Sequence, residues 1–454
     1  MTRKIAIIGG GGVRTPLLIH GLAQSQTLLD MGEFALFDCD RSRAETIANI
    51  GREIVRRLGA RFRIETYSGL EDAAHGAEFI FHSIRVGGIA ARARDERMAI
   101  EHGLAGQETT GPGGVAMALR TVPVVLEQAR VLESAAPDAW FISFTNPAGL
   151  ITQALALHTG LRAIGICDTP MELFHRIADA LGEPYEEMAF DYAGLNHLGW
   201  VRRVRVRGED VTERLLNDDA VMRRLYPAPL FDPTLIRALR LIPTEYLFFY
   251  YSQRKAYENQ LRNGASRGEE LVKWNDELFA ELDRQTPAQA LETYRRYLLR
   301  RNASYMKVEA EGTSAFSSAG EENDPFEAAT GYHRIGVEVV ASLFSERGKQ
   351  VVVNVPNRGA IEDLAPDDVV EVPCEISTRG AAPRPAGRLP EAVRGLALSV
   401  KAYERAAIRA AVERSGAQAQ LAMLEYPIIG QWELAHSLRI AMARNDPEHL
   451  SYLA

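Results

Sequence analysis

The sequence predicts an α/β fold in two parts: a parallel sheet wound with helices over residues 1–166, then a mixed α/β (α+β) portion over 167–454. Three observations point there. Short apolar runs alternate with helical periodicity through the first 166 residues, the pattern of βα units that feed a parallel sheet. Several runs end in polar or glycine-rich loops, as strands do at the ligand crevice of an open α/β sheet. Beyond Ile166 the alternation gives way to Val-rich strands among long helices. At about 150 residues per domain three domains would be allowed, and two larger ones fit as well.

Composition narrows the class. With 46% hydrophobic and 25% charged residues, the chain reads as a globular protein with a sizeable core, not a disordered one. A net charge of −8 argues against nucleic acid as a partner. No run approaches the roughly 20 apolar residues that span a bilayer, and Met1-Thr2-Arg3-Lys4 leads into a strand without a cleavage pattern. The expected location is therefore cytoplasmic, with no membrane partner. Cys39, Cys167 and Cys374 are too few and too scattered for a disulfide framework.

The elements follow in order. Lys4 to Ile8 is the first strand and Gly9-Gly10-Gly11-Gly12 the turn after it. Thr15 suits the N-cap of the next helix and Pro16 its first position, where a missing N–H costs nothing. Phe34 to Phe37 is a second strand closing on Asp38, and a helix is expected from Arg41 to Leu58. Further strands are expected at Phe79 to Ile84, Phe141 to Phe144 and Ala163 to Ile166. In the second part, strands fall at Val201 to Val206, Gln350 to Val355 and Val369 to Glu375, and helices at Gly268 to Leu282 and Glu391 to Ser415. Thr378 to Pro390, rich in Pro, Gly and Arg, reads as a surface loop.

Five constellations carry chemistry. A turn of Gly9, Gly10, Gly11 and Gly12 without Cβ atoms lets a pyrophosphate approach the start of a helix, and Asp38 is placed to accept from ribose hydroxyls. This reads as a Rossmann-like dinucleotide-binding domain preferring NAD, although Arg14 stands at the third glycine position of the usual pattern. Asn146, in Thr145-Asn146-Pro147, follows a strand end and can bridge cofactor and substrate hydroxyls; an ordinary Asn-Pro turn is the plainer reading of that segment alone. Cys167 and His197 offer a thiolate and an imidazole to a divalent transition ion, while spacing alone describes a buried thiol and a core imidazole at least as well. Tyr246 lies in an aromatic run whose default is packing, and it becomes a base only beside a cation such as Arg267 or a metal. Arg85, Arg92, Asp95 and Glu108 sit on two glycine-rich loops suited to anionic ligands, or to a structural ion pair.

Taken together the segments resemble glycoside hydrolase family 4, the NAD- and metal-dependent glycosidases, and most closely its 6-phospho-β-glucosidases. The resemblance is carried by Ile7 to Gly12 with Thr15-Pro16, Arg85 to Gly88, Gly106 to Gly111, Thr145 to Pro147, Gly165 to Pro170, Gly194 to Leu198 and Tyr246-Leu247. It implies Cys167 and His197 as ligands of Mn²⁺, Tyr246 as the base at C2, and Asp38 as the ribose acid. It also implies Asn146, Asn196, Glu108, Arg92 and Arg267 as substrate contacts, with Arg92 on the phosphate. Asp168 is associated with the general acid of 6-phospho-α-glucosidases, which leaves the α-anomer, or an unphosphorylated sugar, as the alternative. The implied reaction is transient oxidation at C3, loss of the C2 proton to Tyr246, elimination of the aglycone, addition of water and re-reduction. It departs from the paired-carboxylate hydrolysis of most glycosidases. A 2-hydroxy-acid dehydrogenase would share the dinucleotide half but release NADH. The resemblance further implies a phosphorylated disaccharide or glycoside as substrate and a homodimer or homotetramer.

Overall fold

A computed structural model describes residues 2–312 and 324–454. Six strands build the N-terminal half: β1 (Arg3–Ile8), β2 (Met31–Phe37), β3 (Arg63–Tyr67), β4 (Phe79–His82), β5 (Trp140–Ser143) and β6 (Arg162–Gly165). They lie in the order β3-β2-β1-β4-β5-β6, with every neighbouring pair parallel. The winding direction reverses between β1 and β4, and a ligand crevice opens beyond the carboxyl ends of those strands. Helices cover both faces, so the central strands are apolar, with Ile5, Ile7, Ile8, Phe34, Leu36, Ile80 and Phe81 all buried, while the edge strand β3 buries only Ile64.

The remaining strands are β7 (Met188–Leu195), β8 (Leu198–Val206), β9 (Glu209–Asp210), β10 (Ile242–Pro243), β11 (Lys349–Pro356), β12 (Val369–Ser377) and β13 (Gly380–Pro383). They extend the same sheet from its β6 edge in the order β11-β12-β7-β8-β10, all antiparallel, with β13 on β12 and β9 on β8. Two junctions in this extension are a single residue pair wide. Asn354 opposite Gly165 joins β11 to β6, and Glu371 opposite Gly194 joins β12 to β7.

Three local expectations need correction. Thr15 is the first helical residue of Thr15–Gln24, with Arg14 at the N-cap and no side-chain cap bond, because the turn closes through backbone bonds from Gly12 and Thr15. The expected loop after Ser377 contains β13, which pairs with β12 in register, Ser377 opposite Gly380. The long C-terminal helix stops at Glu413, where Arg414 takes φ 52°, and Ser415 instead caps Gly416–Glu425 by accepting from the Gln418 N–H. Among the described residues no helix is long and apolar enough to cross a membrane.

A buried ion triad ties the segment around Asp446 to the N-terminal half. Arg120, on the helix Gly111–Ala135, bonds to Asp95 and reaches Asp446 Oδ2 at 2.9 Å. Burial pushes the Asp95 carboxyl up to about 6 despite the pull of Arg120. Removing the cation leaves two enclosed carboxylates facing each other, so Arg120→Met is expected to cost about 3–5 kcal/mol in urea unfolding. A loss below about 1 kcal/mol would show the triad to be solvated.

Candidate active site

The loop after β1 shows why glycines stand there. Gly9 has φ +89°, and a Cβ on it would lie 2.2 Å from the Ser83 carbonyl oxygen in the loop after β4. The two loops that frame the crevice are thus in backbone contact. A Cβ on Gly11 would lie 2.9 Å from Asp38 Oδ2, and the Gly11 N–H donates to that oxygen at 2.8 Å. The N–H groups of Gly9 and Gly10 close on Phe37 O, both at 2.9 Å, and that of Gly12 on Gly9 O at 3.1 Å. Glycine therefore supplies tightness rather than free donors; the next amides, of Val13 and Arg14, have no partner among the described residues. Asp38 Oδ1 accepts from the Asp40 N–H at 2.9 Å. A carboxylate has about four lone-pair sites, so capacity remains for ribose hydroxyls.

Cys167 follows β6 and is buried. His197 occupies the two-residue turn between β7 and β8 with φ 61°, a left-handed conformation that a non-glycine residue holds only when its surroundings enforce it. Its Nδ1 lies 2.8 Å from Thr109 Oγ1. Thr109 gives its own hydroxyl proton to Gln107 Oε1 at 2.9 Å, so it accepts from Nδ1–H and leaves the Nε2 lone pair for a ligand. Tyr246 sits in a short turn, Glu245–Leu247, held by a 2.9 Å bond from the Thr244 N–H to Gly199 O of β8. Its ring stacks on His197, centroids 3.7 Å apart and planes within 1°. An ionised Cys167 would raise the Tyr246 hydroxyl further, which places the thiol in the neighbourhood of the recess that the His197 and Tyr246 rings line.

That recess disfavours charge. Burial pushes the Cys167 thiol well above its usual value, with Glu371 and Asp168 adding to the effect. It also lowers His197 to about 4 and raises Tyr246, with Glu108 adding to the latter. A soft thiol and a neutral imidazole are the donors a divalent transition ion takes, and such an ion would reverse the local preference for neutral forms. Among the described residues no group of three or more His, Cys, Asp or Glu is placed to hold a metal, so this pair offers two ligands.

The other expected residues divide. Glu108 receives Arg85 at 2.5 Å and Arg92 at 3.0 Å, and these cations reverse the effect of burial and hold it ionised. Arg92 is also bonded to Glu96 at 2.7 Å, and its side chain is only 6% exposed. Arg14 has a 41% exposed side chain, lies 3.7 Å from Asp168 Oδ2 and packs over the Tyr332 ring. Arg267 is not the cation beside Tyr246. Its guanidinium donates to Ser304 O at 2.8 Å and Arg301 O at 2.9 Å, because it caps the end of the helix Pro287–Ala303. Tyr305 lies between, bonded to Tyr246 and, at 3.1 Å, to Glu245 Oε1. Asn146 is half-buried, and Asn196 donates to Glu371 Oε1 at 3.1 Å. Asp168 precedes the helix Thr169–Leu181 without capping it, its carboxyl raised by burial against the pull of Arg14.

Residues 4–183 match the family model described as Family 4 glycosyl hydrolase, and residues 192–429 match the Family 4 glycosyl hydrolase C-terminal domain. The chain belongs to glycosyl hydrolase family 4. It is 30% identical over 434 residues to a probable 6-phospho-beta-glucosidase of Bacillus subtilis, covering 94% of this chain and 92% of the relative. It superposes on the 6-phospho-beta glucosidase of Thermotoga maritima, solved with manganese, NAD+ and glucose-6-phosphate, with TM-score 0.81, 28% identity and 99% of each chain covered. A 6-phospho-alpha-glucosidase from gut microorganisms, solved with NAD and glucose-6-phosphate, gives TM-score 0.80 at 26% identity, again covering 99% of each chain.

The family 4 chain also encloses carboxyls around the site that its sequence did not single out. Glu245 and Glu172 stand near Asp168, and burial lifts their carboxyls to about 7 and about 8. Glu371 lies behind Asn196, lifted to about 7. Of these only Glu371 left a signal, an acid inside the apolar run Val369-Val370-Glu371-Val372. A carboxyl whose folded value is raised binds its proton more tightly in the native state, so it subtracts stability as pH rises from about 4.5 through 7. Glu245→Gln is therefore expected to melt above the parent at pH 8, the gap closing by about pH 4.5. Equal melting curves across this range would contradict the burial of that charge.

Proposed function

We propose that the chain hydrolyses 6-phospho-β-glucosides, with NAD between the Gly9–Gly12 turn and Asp38 and with Mn²⁺ or a similar ion on Cys167 and His197. One observation carries this reading: the His197 imidazole, its Nε2 left free, stacks on the Tyr246 ring, and Cys167 follows β6 close enough for a thiolate there to act on the Tyr246 hydroxyl. The dinucleotide supplies reversible oxidation at C3 and the cation supplies Lewis acidity at the sugar oxygens. The rest falls to this chain. Burial keeps the Tyr246 phenol protonated, so it would take the C2 proton only as the phenolate that a cation on Cys167 and His197 would favour, and its stack on His197 holds that oxygen in place. Asp168, whose carboxyl is raised by burial against the pull of Arg14, is the group to give a proton to the leaving oxygen. Arg14 presents the accessible cation to the 6-phosphate, while Arg92 and Glu108 form the closed ion-pair wall behind it. Asn146 and Asn196 bind sugar hydroxyls, and Arg267 fixes the Tyr305 side of the pocket.

Residues 1–166 act in this reading as the NAD-binding half and 167–454 as the substrate and metal half, in a cytoplasmic homodimer or homotetramer. A second reading, hydrolysis of 6-phospho-α-glucosides, is favoured by the half-buried Asp168 carboxyl, which is raised despite Arg14. Chromogenic α- and β-glucosides, with and without 6-phosphate, decide the matter when assayed with NAD+, Mn²⁺ and a reductant. Turnover of the phosphorylated β-glucoside is expected. Preference for the α-anomer installs the second reading, and turnover without either cofactor removes both.

A further inference from the structure

We propose that Glu371 and Asn354 are positioning residues that set the separation of Cys167 and His197, and with it the fit of their site to a divalent cation. The proposal rests on the metal reading above. Cys167 lies two residues beyond Gly165, and Asn354 is the single β11 residue paired with that strand. His197 lies three residues beyond Gly194, and Glu371 is the single β12 residue paired with that strand. Asn354 and Glu371 face each other across β11 and β12. The two ligand-bearing strands are thus held apart by a two-strand wedge that touches each of them at one residue.

At the tip of that wedge a single carboxylate gathers the pieces. Glu371 Oε1 accepts from Asn354 Nδ2 and from Asn196 Nδ2, both at 3.1 Å, and Oε2 accepts from the Tyr192 hydroxyl at 2.6 Å. One bond reaches β11, one reaches β7, and one reaches the residue beside His197 in its strained turn. The charge of Glu371 is also felt at the Cys167 thiol. There is no slack around these groups. A Cβ on Gly165 would lie 2.9 Å from Asn354 Cβ, and one on Gly149 would lie 2.9 Å from Asn196 Cβ. Stability alone does not favour the arrangement: Glu371 is 1% exposed and bonded by neutral donors only, and Asn354 Oδ1 is buried with no partner among the described residues. Partners behind a metal site orient its ligands, and losing one typically weakens metal binding about 10–100-fold.

Mn²⁺ affinity of the NAD-loaded protein, read from the EPR signal of free Mn²⁺, tests this. Glu371→Ala and Asn354→Ala are expected to weaken binding about 10–100-fold while NAD+ affinity stays unchanged. Glu371→Gln keeps an oxygen for the two amides and a nitrogen for Tyr192, and it is expected to restore parental affinity. A Gln variant as weak as the Ala variant would replace positioning by a charge effect and overturn the proposal. Should Glu371→Ala not fold, Tyr192→Phe removes one of the three bonds, and a few-fold loss of affinity is expected; parental affinity in Tyr192→Phe and Asn354→Ala overturns the proposal. Cys167→Ser separates the two levels. If it leaves Mn²⁺ binding intact, the metal reading itself fails; if it abolishes binding while the Glu371 and Asn354 variants bind normally, only the positioning role fails.

Discussion

Tyr246→Phe is expected to lower kcat by about 10²–10⁴-fold, the usual contribution of a positioned base, while Mn²⁺ and NAD+ affinities stay near those of the parent. The substitution is narrow. The ring that stacks on His197 at 3.7 Å remains, so the imidazole keeps its support, and the turn Glu245–Leu247 is still tied to β8 through Thr244. Only the hydroxyl that faces Tyr305 and Glu108 is lost. In the proposed reaction that oxygen takes the proton from C2, so exchange of the C2 hydrogen with deuterated solvent should fall in parallel with turnover. A Phe variant that retains more than a tenth of the parental kcat would remove Tyr246 from the reaction. Lost exchange with turnover retained would move the tyrosine to a different step.

The N-terminal half was largely legible because its signals are local. Apolar runs, a glycine turn and an acid at the end of β2 are each decided within a few residues, whereas β3 (Arg63–Tyr67), with only Ile64 buried, forms no apolar run and was not expected. Cys167 and His197 each follow a strand, but that local context reads as well as a buried thiol and a core imidazole, and only the resemblance to family 4 pairs them. The rest depends on long-range pairing. Glu371 matters only because β12 inserts beside β7, more than 170 residues earlier in the chain, through one residue pair. Arg267 resembled a site cation in sequence, yet it is captured by carbonyls of the helix Pro287–Ala303, and Tyr305 takes the place beside Tyr246. Thr378 to Pro390 had a loop composition, and its first residues became β13 because the edge of β12 was there to be paired.

Cys167→Ser should cost Mn²⁺ affinity more than the roughly 100-fold that loss of a supporting residue can cost, and turnover should vanish with it. A serine hydroxyl does not ionise to replace a thiolate, and the pair has no third His, Cys, Asp or Glu to compensate among the described residues. NAD+ affinity should hold, since Gly9 to Gly12 and Asp38 lie at the ends of β1 and β2, on the far side of β4 and β5 from Cys167. The competing explanation is that any buried thiol is costly to replace: a hydroxyl enclosed without a partner destabilises by about 1–3 kcal/mol and could lower activity through folding alone. Cys374 provides the control. It is fully buried in β12, its thiol is pushed up to about 12 by burial, and its hydrogen-bond partner is the Val372 carbonyl of its own strand. Cys374→Ser should therefore lose comparable stability in urea while keeping parental Mn²⁺ affinity and turnover. If the two variants lose metal binding and activity alike, burial explains both, and Cys167 is a core residue instead of a ligand.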